Sequence, residues 1–212
     1  MKDFFKNGLE PLSYLIYAIA IFIAIRKNKL IKKEVLFIFY LLAIVIILVA
    51  CYTTNMLLNR ILYNLYFFIT ISVFSYYFRS LLSTKTKKNI VNILFIINLI
   101  LFINICLVSH QLFEINNYFY AIIYLTIIVH ALLYFHDVLK NVNEIKLLHQ
   151  FDFWLVSGYL LYFLSCFFII FFYENVDISL RATLWSLQNS ILFLSSLLTM
   201  CASIWIYQKK YY

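Results

Sequence analysis

The sequence contains very little glycine, proline and charge. Of its 212 residues, 2 are Gly, 1 is Pro, and 12% are Asp, Glu, Lys or Arg, which is about half of the charged share of a soluble domain. Two glycines are too few for a glycine-rich phosphate-binding loop. The chain is 65% hydrophobic, and with so few charged residues a soluble fold could not shield its apolar surface from water. The composition therefore excludes a soluble enzyme, an ATP-driven transporter acting alone, and a disordered or collagen-like chain.

Long apolar runs dominate instead, and the mean hydropathy of the chain is +0.92. A membrane-spanning helix needs about 20 apolar residues, and seven stretches reach or approach that length. None of them alternates as the strands of a membrane β-barrel do. The predicted fold is all-α, a single transmembrane bundle with spans over residues 8–25, 35–51, 61–78, 90–108, 118–135, 153–173 and 182–207.

Basic residues between the spans predict the orientation of the bundle. Short loops rich in Lys and Arg stay in the cytoplasm because these side chains resist translocation. Of the 17 basic residues, all but Lys2, Lys6, Arg60 and Arg181 follow an odd-numbered span. We therefore expect the N-terminus outside and the C-terminus in the cytoplasm. The net charge of +8 then reflects topology, and no nucleic-acid partner is expected.

Two of these cytoplasmic segments are basic enough to attract anionic lipid headgroups or a protein partner. The expected partners are thus the bilayer and either another protein or a second copy of the chain. The residues concerned are Arg26, Lys27, Lys29, Lys32, Lys33, Arg79, Lys85, Lys87 and Lys88.

Polar side chains inside the spans are the candidate functional residues, because they are costly in hydrocarbon. They are His130, Asn98, Asn104, Gln188 and Asn189. Since a six-residue step turns about 240° around a helix, the asparagines of the fourth span do not share one face. This implies several partners or a central position for that helix. Gln188 and Asn189, near Trp185, either pack against the sixth span or line a polar pocket that opens outward.

Small and hydroxylated residues recur in the last two spans and predict that these helices meet closely. The residues are Ser157, Gly158, Ser165 and Cys166 in the sixth span, and Ser195, Ser196, Thr199 and Ser203 in the seventh.

Aromatic residues make up 20% of the chain, and many lie near span ends. We interpret most of these as interfacial belt residues, with a ligand-binding aromatic cage as the alternative. Among them are Tyr52, Tyr63, Tyr66, Tyr76, Tyr77, Tyr118 and Tyr120.

Motifs that bind metals or cofactors do not occur in the sequence. There is no H-x-x-x-H or C-x-x-C spacing, so neither a metal nor another cofactor is expected. Residues 182–207 contain no lysine, which argues against a retinal Schiff base. Cys51 and Cys106 both fall near the expected outer surface, and a disulfide between them stays an open alternative.

The run FDFWLVSGYLLY at residues 151–162 resembles a segment of uncharacterised small seven-helix membrane proteins of Bacteroidetes-type bacteria. The layout of the spans is similar as well. The resemblance implies a bacterial inner-membrane protein that accompanies a sensor histidine kinase or another signalling system.

The leading functional hypothesis is a non-enzymatic sensor or adaptor subunit that is read by a cytoplasmic or membrane partner. A small transporter or channel is one alternative, with Asn98, Asn104, His130 and Gln188 along its path. An integral lipid-modifying enzyme is another, and it would rely on His130, His136 and Asp137 near the inner face.

Overall fold

A computed structural model describes residues 9–28, 31–53, 55–105, 117–141, 148–172 and 176–208. Within these ranges it has seven helices, each long and apolar enough to cross a membrane, so the predicted all-α fold with seven spans is confirmed. The helices are α1 (Leu9–Asn28), α2 (Ile31–Tyr52), α3 (Met56–Leu81), α4 (Lys85–Ile103), α5 (Asn117–Asn141), α6 (Phe151–Phe172) and α7 (Ile178–Gln208).

Several helices extend beyond the apolar runs that predicted them. The side chain of Asn55 caps α3 by accepting hydrogen bonds from the backbone N–H groups of Leu57 and Leu58, which begins the helix five residues before the predicted span. At its C-terminal end, α5 continues to Asn141, six residues beyond the predicted span. The predicted end of the fourth span at residue 108 falls outside the described residues.

Six helices form a closed ring. Along it, α1 packs against α2 and α7, α6 packs against α5 and α7, and α3 packs against α2 and α5. Helix α4 lies outside the ring on α3 and α5, with only 11% of its span buried. Of the two alternatives for the fourth span, several partners or a central position, the central position is therefore wrong. The Nδ2 of Asn98 donates to Thr126 Oγ1 on α5 and to the carbonyl of Leu94, while its buried Oδ1 has no hydrogen-bond partner among the described residues.

The ring has two ends, which we call the N face, where α1 begins, and the C face, where α7 ends. Between them, aromatic side chains fill the centre of the bundle. The ring of Phe74 on α3 makes an edge contact with that of Tyr159 on α6 at 4.8 Å between centroids, and Tyr17 on α1 stacks on Tyr40 of α2 at 5.0 Å. Such pairs stabilise a core by more than their buried area alone.

Helices α6 and α7 approach closely at Gly158, as the small residues of the two spans predict. A Cβ atom at this position would lie 3.1 Å from Thr199 Oγ1 and 3.2 Å from the backbone carbonyl of Ser195. Helix α1 joins the contact, since the Tyr17 hydroxyl donates to Ser195 Oγ over 2.9 Å. The hydroxyl stripe of α7 therefore serves helix packing.

Candidate functional site

A cavity of about 210 Å³ lies among the helices near the N face and is partly open. We call it the N-face pocket. Five helices of the ring contribute its walls, and aromatic side chains form most of the lining. Its residues are Glu10, Tyr14, Tyr63, Tyr66, Phe67, Asn117, Tyr120, Tyr124, Tyr162, Ile169, Ile170, Trp185 and Gln188.

Helical spacing explains how so many tyrosines reach one cavity. Residues three or four apart share a helix face, and the tyrosines occur as the pairs Tyr63/Tyr66 on α3 and Tyr120/Tyr124 on α5. Each pair presents two phenols to the same side of its helix. The pocket is thus built from the inward faces of regular helices, without a break in any of them.

One carboxyl group enters the pocket wall, from Glu10 in the first turn of α1. Tyr14 lies one turn further along α1 and also lines the pocket. Its hydroxyl is 2.9 Å from that of Tyr66 on α3. This hydrogen bond connects α1 and α3 beside the cavity.

Gln188 on α7 also lines the pocket, and its side chain is buried. Among the described residues, its Oε1 has no hydrogen-bond partner. A buried polar atom without a partner is unfavourable, so this amide is available to a ligand or to water. Trp185, one turn before Gln188, contributes an indole ring to the same wall.

Packed aromatic side chains close the bundle beneath the pocket. Tyr17, Phe74 and Tyr159 are almost fully buried there. Tyr14, Tyr66 and Tyr162 line both the N-face pocket and a second void of only about 10 Å³ below it, which is room for about one water molecule. The N-face pocket therefore ends on a floor.

An ionic cluster ties three helices together at the C face. Lys33 Nζ on α2 lies 3.3 Å from Asp152 Oδ1 on α6, and the same oxygen accepts a 2.8 Å hydrogen bond from the Tyr77 hydroxyl on α3. The ammonium also lies 4.7 Å from the ring centre of Phe151. Lys33 is only 3% exposed. It belongs to the bundle interior, which corrects its predicted place on a lipid or partner surface.

A second cluster joins α4 to α5. Asp137 accepts hydrogen bonds from the backbone N–H and the hydroxyl of Ser83, both at 2.9 Å, and forms an ion pair with Lys87. Lys87 Nζ is also 2.7 Å from Nδ1 of His136. Lys87 therefore makes an internal contact as well, unlike the exposed Arg79 and Lys85.

His130 on α5 lies apart from both clusters. It is fully buried, with its ring 5.7 Å from that of Phe78, and neither ring nitrogen has a partner among the described residues. The three residues of the enzyme hypothesis are therefore not gathered, because His136 and Asp137 contact Lys87 while His130 packs on an aromatic ring. Within the described ranges, no group of His, Cys, Asp and Glu could hold a metal ion.

Replacing His130 by Leu should raise the free energy of unfolding by about 1 kcal/mol, because a buried, unpaired polar group is exchanged for an apolar one of similar size. Denaturant titration of the purified protein in micelles measures this. For comparison, Thr126→Val removes the acceptor of Asn98 and should lower stability by about 0.6 kcal/mol. A loss of stability in His130→Leu would contradict this prediction.

The predicted intramembrane residues do not form one site. Gln188 lines the N-face pocket, Asn98 joins α4 to α5, and His130 packs on Phe78. Asn189 is buried, but it does not line the pocket, and Asn104 lies at an exposed position where α4 ends.

Some of the predicted basic residues and cysteines lie outside the described part of the chain. These are Lys29, Cys106 and the side chains of Lys27, Lys32 and Cys51. Arg26 is exposed beside Phe22, and Lys88 is half-buried.

Glu10 is missing from the sequence-based candidates, and the inward-facing tyrosines are included only under the alternative of a ligand-binding aromatic cage. The signal was present: Glu10 is an acidic residue within the first predicted span and lies four residues before Tyr14. Tyr63, Tyr66 and Tyr120, interpreted as belt residues, line the pocket, and Tyr77 is fully buried. By contrast, the exposure of Tyr52, Tyr76 and Tyr118 is 86%, 48% and 63%, which fits the predicted belt.

The comparisons with known proteins leave the site to be interpreted from its geometry alone. No protein-family model, no curated protein and no solved structure matches this chain.

Proposed function

We propose that the protein is a sensor or adaptor subunit of a bacterial inner membrane, which binds a small ligand from outside and is read by a partner on the cytoplasmic side. The observation that carries this proposal is the N-face pocket with its closed floor. A cavity lined by aromatic side chains and a few polar groups is typical of a small-molecule site. The packed layer beneath it favours binding over passage, and therefore a sensor over a transporter or channel.

The charge distribution supports the orientation in this proposal. Arg26, Arg79 and Lys85 are exposed near the ends of helices at the C face, where basic residues favour the cytoplasm. The N-face pocket then opens outward, and the partner would meet the exposed basic residues of the C face.

The ionic clusters supply a route by which the two faces communicate. Lys33, Asp152 and Tyr77 join α2, α6 and α3 at the C face, and the last two of these helices also line the N-face pocket. A ligand that binds one arrangement of the helices better than another shifts their populations. The ligand thereby changes the surface that a partner contacts, without any chemical reaction.

The partner is testable by charge reversal at the C face. The triple variant Arg26→Glu/Arg79→Glu/Lys85→Glu should lose a stoichiometric partner that the unaltered chain retains through gentle extraction from its native membrane. Arg60→Glu, an exposed position on α3 near the N face, is the matched control and should retain it. If cross-linking before extraction captures no stoichiometric partner with the unaltered chain either, the proposed role as a subunit is contradicted.

A further inference from the structure

The described lining of the N-face pocket contains one charged side chain, and that side chain is acidic. Glu10 provides a carboxyl group at the pocket wall, and none of the described lining residues is Lys or Arg. Among the described lining residues, no cation would offset the repulsion between this carboxyl group and an anionic ligand. A cationic ligand would gain a charge-assisted hydrogen bond from it.

A second acceptor in the same cavity requires a donor. Gln188 is 5% exposed, and its Oε1 has no partner among the described residues. Its position on α7 places this acceptor in the wall contributed by that helix, while Glu10 belongs to α1, and these two helices pack against each other. A ligand with two or more N–H donors could therefore satisfy both groups.

The aromatic lining suits the same ligand. The faces of tyrosine and tryptophan rings attract cations, most strongly in surroundings from which water is excluded. Six tyrosines and Trp185 contribute to the cavity. Its remaining walls include the apolar side chains of Phe67, Ile169 and Ile170, which offer a place for a hydrocarbon tail.

Helix dipoles oppose this preference only weakly. Helices α1, α3, α5 and α7 all begin at the N face, and helix N-termini favour anions, but the effect falls off within the first turn. Tyr63 and Trp185 lie two turns inside their helices. Glu10, by contrast, lies in the first turn of α1, where the dipole favours the charged carboxylate that the cation would contact.

We propose that the N-face pocket binds a small organic ammonium ion that carries N–H groups and an apolar tail. The ammonium contacts the carboxyl group of Glu10 and the Oε1 of Gln188, and the tail packs among Phe67, Ile169 and Ile170. This assignment rests on the proposed function, because it names the class of ligand for the same pocket.

The experiment uses Trp185 as a reporter. The chain has three tryptophans, and Trp154 and Trp205 both line a different depression. In a Trp154→Phe/Trp205→Phe background, the remaining fluorescence comes from the N-face pocket. The purified protein in neutral detergent is titrated with 2-phenylethylamine, a charged amine at neutral pH, and with 2-phenylethanol, its uncharged counterpart.

The amine should change the fluorescence of Trp185 at concentrations at least about tenfold lower than the alcohol does, because a hydrogen bond to a charged group adds to the apolar contacts. Glu10→Gln should abolish this difference and leave binding of the alcohol intact. Asp177→Asn removes an exposed carboxylate near the same face and should leave both affinities unchanged. A Trp185→Phe variant that keeps the other tryptophans should show no response.

Equal binding of amine and alcohol, or an amine affinity that survives in Glu10→Gln, would overturn the proposed ligand class while leaving the pocket as a ligand site. If neither probe changes the fluorescence of Trp185, the ligand class is also overturned; the sensor role itself fails only in the charge-reversal experiment. If Glu10→Gln does not fold, Gln188→Glu provides the test instead. Its second carboxyl group should tighten binding of the amine about tenfold and leave the contacts of the alcohol's apolar tail unchanged.

Discussion

Replacing Asp152 by Ala is expected to lower the free energy of unfolding by about 3 kcal/mol, because the buried ammonium of Lys33 then has no counter-charge. The same change removes the acceptor of the Tyr77 hydroxyl at 2.8 Å. The side chain of Lys33 is only 4% exposed and that of Asp152 is 24% exposed. Most of the loss therefore comes from the cost of leaving the charge of Lys33 buried without a counter-charge. Denaturant titration in micelles measures the loss.

A set of related variants separates charge from packing in this cluster. Asp152→Asn keeps an acceptor for Tyr77 but removes the charge. The double variant Lys33→Met/Asp152→Leu removes both charges and should recover most of the stability that Asp152→Ala loses, because apolar replacements of a buried pair are often neutral or better. Glu34→Ala changes an exposed carboxylate in the first turn of α2 and should cost less than about 1 kcal/mol. A loss of less than about 1 kcal/mol in Asp152→Ala would mean that the ammonium of Lys33 reaches water.

Gly158→Leu should lower the free energy of unfolding by about 2 to 3 kcal/mol, because a large side chain would force α6 and α7 apart. The obstacle includes the backbone carbonyl of Ser195 at 3.2 Å from an added Cβ, which cannot rotate away as a side chain can. Gly158→Ala should have a much smaller effect, since a shift of a few tenths of an ångström accommodates one methyl group and Ala favours the helix. The same denaturant titration measures both variants.

The control for Gly158 adds bulk to the same helix away from the interface. Leu161 is 49% exposed on α6, and Leu161→Phe should leave stability within about 0.5 kcal/mol of the unaltered protein. If Gly158→Leu behaved in the same way, α6 and α7 would have to be separated at this level of the bundle.

Both variants also bear on the proposed communication between the faces. Asp152 and Gly158 lie on α6, which continues to Ile169 and Ile170 in the wall of the N-face pocket. If the two arrangements of the bundle differ in the position of α6, variants that weaken its ties at the C face will change ligand affinity at the N face as well. Conversely, a ligand bound at the N face changes the arrangement of α6 at the C face by the same free energy, because linkage between two sites is reciprocal.

The sequence by itself determined the number, type and approximate position of the helices. A segment that crosses hydrocarbon must satisfy its own backbone hydrogen bonds, so helix formation within each span is a local property of length and composition. The close approach of α6 and α7 was predictable for a related reason. Small residues such as Gly158 allow two membrane helices to approach closely, and hydroxyl residues such as Thr199 can form hydrogen bonds between them.

Only the tertiary structure decided which side chains face lipid, core or pocket. Tyr76 and Tyr77 are neighbours in a single apolar run, yet one is 48% exposed and the other is fully buried against Asp152. Lys33 belongs to a basic segment, but it is buried because Asp152 from a distant part of the chain lies beside it. The direction of each helix face depends on its rotation against its neighbours, and that rotation is set by the packing of all the helices together. For this reason Glu10, Tyr66 and Gln188 meet in one cavity, although they come from three separate helices.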